Sequence, residues 1–274
     1  MMFGFALPLA LTVVLVPAFV AAPARAAEPS FDCRTAKTAR ELATCNDAKL
    51  AAADRELGAA WHEAIARLDA PTARALREDQ RKFLSDIDEG FNAELWGKQE
   101  PPEGNELRAQ VAQLRRGGDD DVLAALEAQV RERIAFLRHL TPAASVTGLW
   151  KNHNSEILVA AADAGRYNAT FGTTNFGWGK YRCHFSAAFG PQSAADQRLA
   201  ATAPHNTDAG VDEDSASTLF MARDGALLTL AEETTETAGN GKLSRICPRV
   251  GEFDEPFFHT SLRAEDARRL KPDE

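Results

Sequence analysis

Two cysteines near the start of the chain, Cys33 and Cys45, restrict its fold more than any other feature. Twelve residues of straight helix would hold them roughly 18 Å apart at 1.5 Å per residue. A disulfide tolerates at most about 7 Å between α-carbons. If they pair, the chain bends back between them, with Cys33 on a non-helical lead-in and Cys45 near the end of a short helix. The N-terminal segment is then stapled onto whatever helices follow. The remaining cysteines, Cys183 and Cys247, lie far down the chain. Four cysteines allow three pairings, and only the local one keeps each bridge inside one domain. On the chain-entropy view such bridges add roughly 3 and roughly 4 kcal/mol.

Disulfides presuppose an oxidising compartment, and residues 1–26 carry the means of reaching one. The run from Met1 to Ala22 is apolar, and Pro23-Ala24-Arg25-Ala26 places small residues where a signal peptidase reads. Pro8 and Pro17 interrupt the run, leaving an apolar centre short of the ~20 residues a bilayer crossing needs. No cysteine follows the small residues at the cut, so a lipid anchor at Cys33 is not expected. The expectation is a bacterial periplasmic or secreted protein with no stable membrane insertion after cleavage.

The stretch from Cys33 to Leu140 reads as helices. Asn46 or Asp47 can cap a helix bearing Leu50, Leu57, Trp61, Ile65 and Leu68 at helical spacing. Pro71 opens a second, carrying Leu76, Phe83, Leu84, Ile87, Phe91 and Leu95. Pro101, Pro102 and Gly104 break it, and a short helical stretch spans Glu106 to Leu114. Gly117-Gly118 turns the chain into a last helix with Val122, Leu126, Val130, Ile134 and Leu137, ended by Pro142. Asp119, Asp120 and Asp121 suit the start of that helix as a solvated cap rather than a metal site.

Beyond Thr147 the periodicity changes. Apolar runs at Ile157–Ala161, Tyr167–Phe171, Lys180–Phe185, Ser217–Ala222, Leu227–Ala231 and Leu243–Cys247 alternate with turn chemistry such as Asp224-Gly225 and Gly239-Asn240-Gly241. The fold class expected is α+β by domains: a disulfide-pinned helical bundle, then an antiparallel β sandwich or small barrel with Cys183 clamped to Cys247. The boundaries read as signal peptide 1–26, helical domain 27–140, linker 141–147, β-rich domain 148–264 and charged tail 265–274.

Forty Asp and Glu against 31 Lys and Arg give a formal net charge of −9. A nucleic-acid partner is disfavoured, since phosphate neutralisation needs clustered positive charge. A basic protein partner is favoured, unless the charge serves solubility alone. Nothing in the pattern implies a cofactor or a resident metal. The six histidines lack metal-ligand spacing, and His62-Glu63 has Ala66 where a zinc-protease motif needs its second histidine. No serine sits in a nucleophile elbow, and Gly239-Asn240-Gly241-Lys242 is a hairpin rather than a phosphate loop. Asp54 with Arg81 or Arg133 reads as structural ion pairs between helices. Phe171, Phe176, Trp178 and Tyr181, set among glycines, form a candidate binding face, the alternative being core aromatics.

The ordered set Phe31-Asp32-Cys33, Cys45, Leu50 with Asp54, Trp61, Gln80-Arg81 with Phe83-Leu84, and Arg133-Ile134 with Leu137 resembles the LprI-type lysozyme-inhibitor N-terminal domain. The resemblance covers Ser30 to Leu140. The chain departs where that family often has an Arg-Asp pair followed by cysteine: Ile87 stands for the arginine, Asp88 remains, and no cysteine follows. A further cysteine near the last helix is also missing. Loss of both together fits their being mutual partners and leaves the Cys33–Cys45 pairing intact. The segment from Gly148-Leu149-Trp150 through Cys183 to Cys247 is similar to the β module that follows this domain in some such proteins. The resemblance implies a non-enzymatic exported binding protein whose partner is a basic C-type lysozyme. A periplasmic scaffold or cell-wall-fragment binder without lysozyme inhibition is the alternative.

Overall fold

A computed structural model of the chain describes residues 28–114, 120–174, 182–193, 196–203, 217–233 and 255–266. The apolar leader, Asp119, the 243–247 run and the tail beyond residue 266 lie outside the described residues.

Among the described residues the first part forms five α-helices: α1 (Ala39–Asn46), α2 (Ala48–Arg67), α3 (Ala70–Trp96), α4 (Gly104–Val111) and α5 (Asp120–Arg138). The starts of α1, α2 and α3 follow from side chains that satisfy otherwise orphaned N–H groups. Thr38 and Glu41 make a reciprocal capping box at α1. Asp47 Oδ1 accepts from Lys49 and Leu50 at 2.7 and 3.0 Å at α2. Asp69 caps α3 with Pro71 in its first turn, where proline's missing N–H costs nothing. Each helix turns an apolar stripe inward, including Leu50, Leu57, Leu76, Phe83, Ile87, Phe91, Leu126, Ile134 and Leu137. The short helical stretch expected from Glu106 begins two residues earlier, at Gly104, whose positive φ of 59° lets the chain turn into it.

Among the described residues the later part is a closed barrel of eight antiparallel strands in sequence order: β1 (Gly148–Lys151), β2 (Ser155–Ala161), β3 (Tyr167–Thr174), β4 (Arg182–Ser193), β5 (Asp196–Ala203), β6 (Ser217–Asp224), β7 (Leu227–Glu233) and β8 (Phe257–Thr260). Of the two architectures expected, sandwich or barrel, closure selects the barrel: β1 pairs with β2 on one side and β8 on the other. Alternation sends Ile157, Val159, Ala169, Phe171, Phe185 and Phe189 into one core with Trp150 and Phe257.

On the outer side of the barrel β1 and β8 meet the helices, Lys151 of β1 lying 3.4 Å from Glu132 of α5. Phe258 belongs to the helical core and meets Phe136 of α5 edge-to-face, ring centroids 6.1 Å apart. The chain leaving α5 pairs alongside β8: Leu140 bridges Thr260, Thr141 N–H donates to the His259 carbonyl at 3.1 Å, and Ser261 N–H donates to the His139 carbonyl at 2.9 Å. The first residues after the helix are thus hydrogen-bonded to the barrel.

Candidate functional site

The densest polar chemistry lies where α3 and α5 meet the tip of the β1–β2 hairpin. That tip, Asn152-His153-Asn154, is fixed by its own side chains. Asn152 Oδ1 accepts from the N–H groups of Asn154 at 3.2 Å and Ser155 at 2.8 Å, an Asx-type turn. The turn pushes His153 into the helical lobe, where it is 4% exposed.

There, Asp79 Oδ1 accepts the His153 backbone N–H at 2.7 Å and lies 3.1 Å from its Nδ1. Glu255, just before β8, brings Oε2 to 3.1 Å from the same nitrogen, and Asp86 Oδ2 lies 3.3 Å from Nε2. Asp79 Oδ2 also faces Arg133 Nη2 of α5 at 2.7 Å. The Arg133 Nε–H donates to Gln80 Oε1 at 2.8 Å, and the guanidinium lies between the rings of Phe83 and Phe136, 5.1 and 4.6 Å from their centroids. Lys82 pairs with Glu255. Nearby, Lys151 of β1 pairs with the fully buried Glu156 and lies 3.4 Å from Glu132 of α5.

Electrostatics separate two of the carboxyls. Burial alone pushes Asp79 up, but the charge of Arg133, together with the hydrogen bond and charge of His153, outweighs it and holds the carboxyl below its ordinary value. Asp86 moves the other way: burial raises it, and Glu89, Glu255 and Asp79 add to the rise against the pull of His153.

Chemically, this arrangement fastens. Both imidazole nitrogens of His153 face carboxylates, and the guanidinium of Arg133 is matched to an acid, an amide and two rings. No described serine or cysteine lies within hydrogen-bond reach of the imidazole, the geometry a nucleophile–base pair requires. Among the described residues no group of three His, Cys, Asp or Glu is placed to hold a metal. Beside the junction is an open cleft of about 420 Å³ lined by Pro71, Arg74, Ala75, Glu78, Asp79 and Lys82 of α3 and by Glu255 and Pro256.

The residues singled out in the sequence distribute as follows. Cys33 and Cys45 are disulfide-bonded, with α-carbons 5.8 Å apart and Cys45 in the last turn of α1. Cys183 is also disulfide-bonded, and its expected partner Cys247 lies outside the described residues. Asp54 does not pair with Arg81 or Arg133. Its Oδ2 accepts from Ser30 N–H at 2.7 Å and Ser30 Oγ at 2.6 Å, anchoring the N-terminal lead beside the disulfide. Arg81 pairs with Glu78 on the surface of its own helix, because its position on α3 points to solvent. Arg133 takes Asp79 instead. Asp88 bonds Arg40 of α1 at 2.8 Å, so the acid retained beside Ile87 has a cation from another helix.

Of the two readings of Phe171, binding face or core aromatic, its position is that of a core aromatic. It is 1% exposed, stacks on Phe185 at 4.9 Å and meets Phe257 edge-on inside the barrel. Inward alternation along β3 places it there. Phe176, Trp178 and Tyr181 lie outside the described residues. Sequence reasoning missed Asp79 and His153. The available signal was on α3, where Asp79 and Gln80 interrupt the otherwise apolar face of Leu76, Phe83 and Ile87.

Residues 32–135 match the family described as Lysozyme inhibitor LprI. The matched segment contains the disulfide, Asp79, Gln80 and Arg133, and ends before His153 and the barrel. A search of curated proteins and of solved structures finds no match. Among the described residues no helix is long and apolar enough to cross a membrane.

Proposed function

We infer from the LprI match that this chain is an exported binding protein of the lysozyme-inhibitor type, docking non-covalently on a basic C-type lysozyme. The match over residues 32–135 carries the reading. The net charge of −9 supports it, because opposite charge steers the encounter while a few buried contacts set the affinity. The ion-paired junction supports a docking role over a reactive one, since its acids and bases are committed to each other. On this reading residues 1–26 direct export, 27–140 form the inhibitor-type unit, 148–264 form the β unit, and 141–147 join them.

The test is titration of a C-type lysozyme with the full mature chain. Activity should fall to a plateau near one equivalent, with an association rate that drops as salt rises through the range where the screening length shortens to about 10 Å. Undiminished lysozyme activity with no complex at low salt overturns the reading in favour of an envelope scaffold.

A further inference from the structure

We propose that the cleft between α3 and the segment entering β8 binds a small carboxylate ligand, of the class of short peptides with a free C-terminus and small side chains. The lining contains five charged side chains, and four of them are already matched. Glu78 pairs with Arg81, Lys82 with Glu255, and Asp79 with Arg133 and His153. Arg74 is the exception: it lines the cleft, is exposed, and has no ion-pair partner among the described residues. The cleft therefore offers one uncommitted cation against a wall whose carboxylates are neutralised.

A guanidinium presents parallel N–H donors that match a carboxylate in a bidentate fork. The uncharged part of the lining is apolar, supplied by Pro71, Ala75 and Pro256. Short side chains such as methyl groups fit against these residues, whereas an inorganic anion gains nothing from them. A volume of about 420 Å³ lies within the roughly 300–1,000 Å³ range of small-molecule sites and accommodates two or three residues. Asp79 forms part of the wall and is also the acid that joins α3 to α5 and the hairpin tip, so the occupied cleft adjoins the contact between the two lobes. The site is distinct from protein docking and goes beyond the inhibitor reading.

The experiment is calorimetric titration of the full mature chain with N-acetyl-Ala-Ala, its C-terminal amide, and inorganic phosphate, repeated on Arg74→Gln and Arg77→Gln. Arg74 and Arg77 are both exposed on α3, so neither change disturbs the core, and Arg77 lies outside the cleft lining. The dipeptide acid should bind saturably, and the amide about tenfold or more weaker, as loss of a charge-assisted contact implies. Arg74→Gln should abolish the preference for the acid and Arg77→Gln should preserve it. Equal binding of acid and amide, phosphate binding as tight as the dipeptide, an unchanged Arg74→Gln, or no saturable binding of the acid overturns the proposal. Lysozyme inhibition read on the same variants is independent of these outcomes.

Discussion

Asp79 holds His153 at two points, accepting the backbone N–H at 2.7 Å and facing Nδ1 at 3.1 Å, so one carboxyl fixes both the position of the hairpin tip and the orientation of its ring. The other oxygen of the same carboxyl neutralises Arg133. Two lobes and three elements thus meet at one side chain.

Removing that side chain should be costly. Asp79→Ala leaves the Arg133 guanidinium, which is 2% exposed, without its acid. Loss of about 3–5 kcal/mol is expected for a broken buried pair. Arg81→Ala, which breaks only the exposed pair with Glu78, should change stability by about 0.5 kcal/mol or less. Urea unfolding of both variants gives the comparison, and equal small losses would contradict the assignment of Asp79 as the joint.

The junction also sets a pH dependence of definite sign. The Asp79 carboxyl is held below its ordinary 3.8, so between that value and its lower folded value the unfolded chain binds more protons. Stability from Asp79 is therefore complete above about pH 4 and is lost as pH falls through the folded value. Asp86, raised by burial, has the opposite effect: the folded chain binds more protons, and stability declines as pH rises from about 4 through its raised value. Urea midpoints measured from about pH 2 to 7 should show the acid limb flattened in Asp79→Asn. Asp86→Asn should lose the decline on the other side while keeping the acid limb.

Gly148 should tolerate no side chain. Its φ is 121°, and an added Cβ would collide with the imidazole of His259, which packs edge-on against Trp150 with centroids 5.0 Å apart. Gly148→Ala should cost about 2 kcal/mol or more from backbone strain and the clash together. Adding His259→Ala should recover only the steric part, since the dihedral remains unfavourable. Full recovery in the double variant would show that the backbone conformation carries no strain.

The N-terminal lead is secured twice, by Cys33–Cys45 and by the hydrogen bonds from Ser30 to Asp54. Cys45→Ala should lower stability by about 2–3 kcal/mol, and Asp54→Ala by about 1 kcal/mol. Because both fasten one segment, the double variant should lose less than their sum, the signature of sites that share a structure. Strict additivity in denaturant titrations would argue that the two attachments act independently.

Much of the helical part was legible in the sequence because its signals are local. Asp47, Asp69 and Pro71 sit where helix starts demand them, and Leu50, Leu57, Leu76 and Phe83 repeat at the helical period. The barrel was legible as strands, with sandwich and closed barrel both left open by the sequence. Closure depends on β1 meeting β8 across more than a hundred residues, and β8 is only four residues long. β5 is rich in alanine, with Thr202 its one β-branched residue and no aromatic, so little in it marks a strand. The junction was least legible. His153 and Glu255 come to Asp79 from distant parts of the chain, and no spacing rule links them. For Asp54 the sequence offers helical cations as partners, whereas folding brings it the hydroxyl and amide of Ser30.

Phe258 sits on a barrel strand yet belongs to the helical core, while the residues after α5 hydrogen-bond to that same strand. Cutting the chain between 141 and 147 would therefore not release two finished parts. One fragment would expose Phe136 and an Arg133 sharing its acid with no hairpin, and the other would carry a naked phenyl ring and a buried glutamate opened to water. Neither half carries on its own the surface that covers its side of the seam.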